Sequence, residues 1–187
     1  MKKIFIPLVL IITLNTAFAQ NNSIPLKDAE TIYADTIYKI DSVTKSELYL
    51  RSKVWVSDYF KSSKAVIDLD DKENGMLICK GFQEITIHSV IGVAITTRCY
   101  FTIRISSKDN KVRLNIYDVY YKNYEHYAGG SLIPETETFP TTWFLPKIGK
   151  RMVITCEGYR DETLRVINDL YHSFGQGLNT SYLKNDW

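Results

Sequence analysis

Ile95-Thr-Thr-Arg-Cys-Tyr-Phe-Thr-Ile-Arg-Ile-Ser106 is the stretch that decides the fold. Ile95, Thr97, Cys99, Phe101, Ile103 and Ile105 project to one side. Thr96, Arg98, Tyr100, Thr102, Arg104 and Ser106 project to the other. Alternation with a period of two is the signature of a half-buried strand. Ser107-Lys108-Asp109-Asn110 supplies a turn, and Lys111 to Tyr121 returns as an antiparallel partner. A hairpin with one apolar side needs a cover, and two amphipathic helices elsewhere in the chain are expected to supply it.

Working upstream, Met76 to His88 reads as a second long strand, with Gly81 as a predicted bulge. The polar turn Asp70-Asp-Lys-Glu-Asn-Gly75 precedes it, and Ala65 to Leu69 reads as a short strand. Thr31 to Ile40 is rich in β-branched and aromatic residues and predicts a first strand. Between these lies a helix. Thr44-Lys-Ser-Glu47 has the spacing of a capping box, and Leu48, Trp55, Val56, Tyr59 and Phe60 recur at helical intervals to about Ser62.

Downstream, a long segment over 122–150 contains Gly129, Gly130, Pro134, Pro140 and Pro146 and is expected to be a loop. Met152 to Thr155 predicts a short strand. Asp161 to Phe174 predicts a closing helix, terminated by Gly175 and Gly177. The expected architecture is one α+β domain over 31–177, in the order β-α-β4-α, with an antiparallel sheet and both helices packed on one face. Residues 20–30 are expected to form a flexible leader, and 178–187 a loose tail.

Residues 1–19 carry a different message. Lys2 and Lys3 precede an apolar run from Ile4 to Leu14, and Ala17-Phe-Ala19 follows. A basic start, a short apolar core and a small-x-small site make a cleavable secretory signal, with cleavage expected after Ala19. The run is too short to span a bilayer, which needs about 20 residues. The expected location is periplasmic or secreted, with no membrane anchor after signal cleavage. Without Lys2 and Lys3 the basic residues number 21, equal to the 21 acidic ones. A neutral exported chain makes nucleic acid a poor partner.

The three cysteines, Cys79, Cys99 and Cys156, match no C-x-x-C redox or zinc spacing. An oxidising compartment permits a disulfide. Cys79 and Cys99 fall on strands predicted to be neighbours, so they form a candidate cross-strand bridge. The alternative is that the thiols are small buried hydrophobes.

The run Lys45-Ser-Glu-Leu-Tyr-Leu-Arg-Ser-Lys-Val-Trp55, with Ala65-Val-Ile67, Asp71-Lys-Glu73, Gly75 and Lys80-Gly81, resembles a family of exported bacterial domains of unknown function. The pair Tyr100-Phe-Thr-Ile-Arg-Ile-Ser-Ser-Lys-Asp-Asn-Lys-Val-Arg113 fits the same family. The resemblance covers about residues 30–121, and the final helix by position. It implies a TATA-binding-protein-like fold of a strand, a helix, four strands and a helix. It brings no catalytic residues, and likeness of fold does not transfer DNA binding.

Candidate chemistry is sparse. His88, His126 and His172 lack ligand-like spacing, and no G-x-S-x-G, H-E-x-x-H or phosphate loop occurs. Asp68-x-Asp70-Asp71-x-Glu73-x-Gly75 has acidic spacing, but position twelve from Asp68 is Cys79, so the calcium-loop pattern fails. No metal, cofactor or catalytic residue is expected. Two surfaces stand out instead. Arg98, Tyr100 and Arg104 share the polar side of one strand, and Arg113, Asn115 and Tyr117 that of the next. Arginine beside tyrosine is a recurrent recognition pairing, while a solvated sheet face with cross-strand pairs is the alternative. The second surface is Tyr117 to Tyr127, with Tyr120, Tyr121 and Tyr124, joined later by Trp143 and Phe144; these either stack on a ligand or pack the loop onto the sheet.

The function expected from these residues is a non-catalytic periplasmic or secreted binding module. Its partner is an unidentified envelope protein, peptide or glycan. The competing expectation is an enzyme or accessory factor that processes an envelope glycan or peptide, which requires two carboxylates in one cleft.

Overall fold

The computed structural model describes residues 32–61, 66–88, 94–123, 126–128, 131–133, 136–138 and 150–179. The signal, the leader, Tyr124, Trp143, Phe144 and residues 180–187 lie outside the described residues.

The elements follow the order read from the pattern, with additions. They are β1 (Ala34–Lys39), α1 (Lys45–Phe60), β2 (Ile67–Asp71), β3 (Met76–His88), β4 (Ala94–Lys108) and β5 (Lys111–Asn123). Three short strands follow, β6 (His126–Ala128), β7 (Ser131–Ile133) and β8 (Thr136–Thr138), and α2 (Lys150–Asn179) closes the chain. The antiparallel sheet runs β1-β5-β4-β3-β2, and β8 also pairs with β5.

Alternation along β4 produces the expected two faces. Cys99, Phe101, Ile103 and Ile105 are buried, while Arg104 is exposed and Arg98, Tyr100 and Ser106 are half-buried. The buried side meets Leu77, Ile85 and Ile87 of β3, Leu114 and Ile116 of β5, and both helices. Each such Ile or Leu contributes about 1.5–3 kcal/mol by leaving water.

α1 starts where the capping pattern places it. The Thr44 hydroxyl accepts from the Glu47 N–H. The reciprocal half of the box is not made. The Glu47 carboxylate instead accepts from Arg51 Nε at 2.8 Å, and Arg51 Nη1 donates to the Leu178 carbonyl at 2.6 Å. This buried pair ties the first turns of α1 to the last turn of α2. Between them, Trp55 stacks on Tyr59 and meets Phe174 edge-on.

Several expectations are corrected. Gly81 is not a bulge, because β3 and β4 pair without interruption through Gly81 and Phe101. Gly81 faces the helices, and a Cβ there would lie 2.5 Å from Phe60 Cε1. The glycine makes room for a ring. Met152 to Thr155 is helix rather than strand, because α2 begins at Lys150. Gly175 and Gly177 do not end the helix, which runs to Asn179. A Cβ on Gly177 would sit 3.0 Å from Trp55 Cδ1, so this position lets the two helices approach. The expected loop over 122–150 contains β6, β7 and β8, with β6 and β7 forming a separate two-stranded sheet.

The Cys79–Cys99 bridge is also corrected. Cys79 lies opposite Ile103 and Cys99 opposite Gln83. The two are four residues apart along the ladder, about 13 Å at about 3.3 Å per residue, beyond the roughly 7 Å between Cα atoms that a disulfide spans. All three cysteines are free and buried.

Candidate functional site

The sheet face opposite the helices gathers the polar side of five strands. A bulge on β5 decides which tyrosines reach it. Tyr100 pairs with Tyr120 while Thr102 pairs with Tyr117, so Asp118 and Val119 together oppose Phe101. Asp118 takes φ 51°, the left-handed conformation that Asp tolerates better than most residues. Upstream of the bulge the even positions Val112, Leu114 and Ile116 are buried. Downstream the odd positions Val119 and Tyr121 are. This parity change turns both Tyr117 and Tyr120 to the open face.

The aromatic residues there form a row across three strands. The Phe82 and Tyr100 ring centroids are 5.2 Å apart, and those of Tyr100 and Tyr120 are 5.0 Å apart, with the tyrosine rings within 10° of parallel. Lys122 Nζ stands 5.5 Å from the Tyr100 centroid and 5.8 Å from that of Tyr120. The Arg98 guanidinium lies over Phe82 at 5.2 Å, and that of Arg104 over Tyr117 at 5.8 Å. Each such aromatic pair is worth about 0.5–1.5 kcal/mol, and each cation–ring contact about 0.5–1 kcal/mol when exposed.

Ion pairs occupy the flanks. Arg113 donates through Nε and Nη2 to both Asp35 oxygens, and Asn115 Nδ2 donates to the same carboxylate at 2.8 Å. Lys80 Nζ meets Asp68 at 3.0 Å. Hydrogen bonds and proximity to these carboxylates raise the pKa values of Arg113 and Lys80. Both pairs are exposed, so their net contribution is small.

Behind the row the sheet is braced. The Tyr121 hydroxyl and Thr163 Oγ1 are 2.6 Å apart, and Thr163 Oγ1 donates to the Tyr159 carbonyl at 2.7 Å. Burial pushes the Cys79 and Cys99 thiols up to about 12. A thiol held protonated is a poor nucleophile.

Of the candidates read from the sequence, Arg98, Tyr100, Arg104, Arg113 and Tyr117 share this face. Tyr127 is opposite Leu132 in the β6–β7 hairpin, apart from the main sheet. Phe82 and Lys122 were missed. Phe82 stood at an even position of a strand whose odd positions include Leu77, Cys79, Ile85 and Ile87, which is a readable signal. Lys122 depends on the bulge.

A second place collects polar groups. A concavity of about 570 Å³ between α1 and β2 is lined by Thr44, Glu47, Tyr49, Lys53, Asp70 and Lys72, among others. Glu47 is paired to Arg51, while Asp70 accepts from the Tyr49 hydroxyl and from Lys53 Nζ at 2.5 Å. The acidic run of the β2–β3 turn is likewise dispersed: Asp68 turns to Lys80, Asp70 to α1, and Asp71 to Asn74.

Residues 33–122 match the model of the family described as domain of unknown function (DUF4468) with TBP-like fold. A DUF4468 family protein from Bacteroides ovatus ATCC 8483 is similar in structure, with a TM-score of 0.64 at 13% identity, over 84% of this chain and 91% of that one. A TBP-like protein from Parabacteroides distasonis ATCC 8503 is similar with a TM-score of 0.62 at 12% identity, over 84% and 98%. No curated protein matches. These likenesses establish an α+β, TBP-like fold.

Proposed function

We propose that this TBP-like domain is an exported, non-catalytic binding module whose binding surface is the open face of the sheet. The observation that carries the reading is the Phe82–Tyr100–Tyr120 row, set on the side of the sheet away from the helices. The apolar core closes on the other side. Phe82 is 43% exposed and so forgoes part of the roughly 1.5–3 kcal/mol that full burial would bring. Large side chains kept at a wet surface against that preference are frequent at recognition sites.

Export rests on the signal read at residues 1–19, and N-terminal sequencing of the released protein is expected to begin at Gln20. The binding reading is tested by capture from envelope extract with the wild-type protein and with Phe82→Ser. The variant is expected to lose the wild type's specific component while keeping its melting temperature within a few degrees. Equal capture by both proteins would overturn the assignment of the face.

A processing enzyme is the second reading, because Glu47 and Asp70 line one concavity. Each is already engaged by a cation, which works against a free acid–base pair acting on one bond. Glycan turnover by the wild type that Asp70→Asn abolishes would favour this reading over the first.

A further inference from the structure

We infer that the open face takes an acidic polysaccharide, laid along β4 and β5; this inference rests on the binding-module reading. The strand register sets Lys39 of β1 opposite Lys111 of β5, and Lys111 opposite Lys108 of β4. Three exposed lysines therefore stand in one row across adjacent strands, all on the open face. Like charges directly opposite one another are destabilising. Among the described residues, none of the three makes an ion pair. A row that costs the fold stability and has no internal counterion is complementary to an anionic partner.

The rest of the face agrees in sign. Lys80–Asp68 and Arg113–Asp35 cancel as pairs, and Arg98 is opposite Glu84. Lys122 is opposite Glu137. What remains is the lysine row and Arg104 against Asp118.

The rings specify the class of polymer. Tyr100 has Phe82 on one side and Tyr120 on the other, so its faces are covered by neighbouring rings. A nucleic-acid base needs a free ring face on which to stack. Half-buried rings stacked on one another meet a ligand by their edges rather than their faces, which suits a ligand dense in hydroxyl groups. Lys108 and Tyr100 are eight residues apart on one strand, about 26 Å at about 3.3 Å per residue. A ligand that meets both the lysine row and the aromatic row is thus an extended polymer. An extended peptide would add at a strand edge or fill side-chain pockets, whereas these groups lie across a sheet face.

The test uses the protein as the cell produces it. Immobilised polygalacturonate and dextran sulfate are the probes, with neutral dextran, poly-L-glutamate and a single-stranded oligonucleotide alongside. Binding is expected to the acidic polysaccharides and to weaken about tenfold or more from about 50 to about 200 mM salt. The triple variant Lys39→Ala, Lys108→Ala, Lys111→Ala is expected to bind at least about tenfold more weakly, with a melting temperature unchanged or raised, since repulsion is removed. Tyr100→Phe with Tyr120→Phe, which deletes only two hydroxyls, is expected to weaken polysaccharide binding several-fold.

Equal binding to poly-L-glutamate or the oligonucleotide, retention on neutral dextran, or a triple variant that binds unchanged would overturn the inference. If no polysaccharide binds while Phe82→Ser still abolishes capture from envelope extract, the polysaccharide assignment fails and the module reading stands. If capture is also unaffected, both fail.

Discussion

Gly81 shows how one missing methyl group joins sheet to helix. The Phe60 ring occupies the space where a side chain would begin, with Cε1 2.5 Å from the site of a Cβ. Alanine is ordinarily better than glycine inside a strand by about 0.5–1 kcal/mol. Here the overlap wins. Gly81→Ala is expected to destabilise by about 1–3 kcal/mol, measured by urea unfolding. No change in midpoint would mean that Phe60 moves freely and does not seal this end of the core. A bulge was the natural expectation from the sequence, because a glycine within a strand has two readings. Only the partner, sixteenth and last in α1, selects between them. The thiols behave similarly. Their spacing left a bridge open, and the register of β3 against β4 closed it.

At the scale of elements, the segments with a clean period were legible. β4 alternates over its length, and α1 declares its start through Thr44 and Glu47. α2 was read short at both ends for physical reasons. Met152-Val-Ile-Thr155 has the β-branched composition of a strand, yet it continues a helix whose buried seam runs Cys156, Tyr159, Thr163, Val166, Leu170, Phe174 and Leu178. That seam outweighs local propensity. Gly177 signals an ending in isolation, but Trp55 of α1 needs the space it leaves. The two helices are further joined by Arg51, which bridges Glu47 to the Leu178 carbonyl. Arg51→Ala leaves a buried carboxylate without its cation and is expected to cost about 3–5 kcal/mol. Hydrogen exchange should show the last turn of α2 losing protection in this variant. Unchanged exchange there would show that Leu178 is held by packing alone.

Taken whole, the molecule places its titratable core groups under one cover of helices. Burial raises the pKa of Cys79 and Cys99 to about 12 and lifts Tyr38, Tyr121 and Tyr171 well above the ordinary phenol range. Each group is thus harder to ionise folded than unfolded. Their contribution is fully present below the unfolded values, near 9 for a thiol and 10 for a phenol. It is lost as pH rises from there. The melting temperature should therefore fall steeply above about pH 9. A flat profile to about pH 11 would contradict the burial of these groups. The architecture itself was legible in outline, because a hairpin with one apolar side requires a cover. The open face of the sheet was legible only in part. Arg98, Tyr100 and Arg104 declare their side by alternation, and Lys108 and Lys111 flank a short turn. Lys39 joins them only through the pairing of β1 with β5, a contact that no local pattern encodes.

The bulge at Asp118 works like a spare letter in the side-chain alphabet of β5. Deleting that one residue would restore a regular ladder, with Val119 opposite Phe101 and Tyr120 still opposite Tyr100, so every residue on either side of it would keep its face. The extra residue is thus slack in the ladder rather than a selector of faces. What it adds is one backbone unit outside the pairing and a bend in β5 beside the aromatic row, so this position can lose a residue without turning Tyr120 or Tyr121 over.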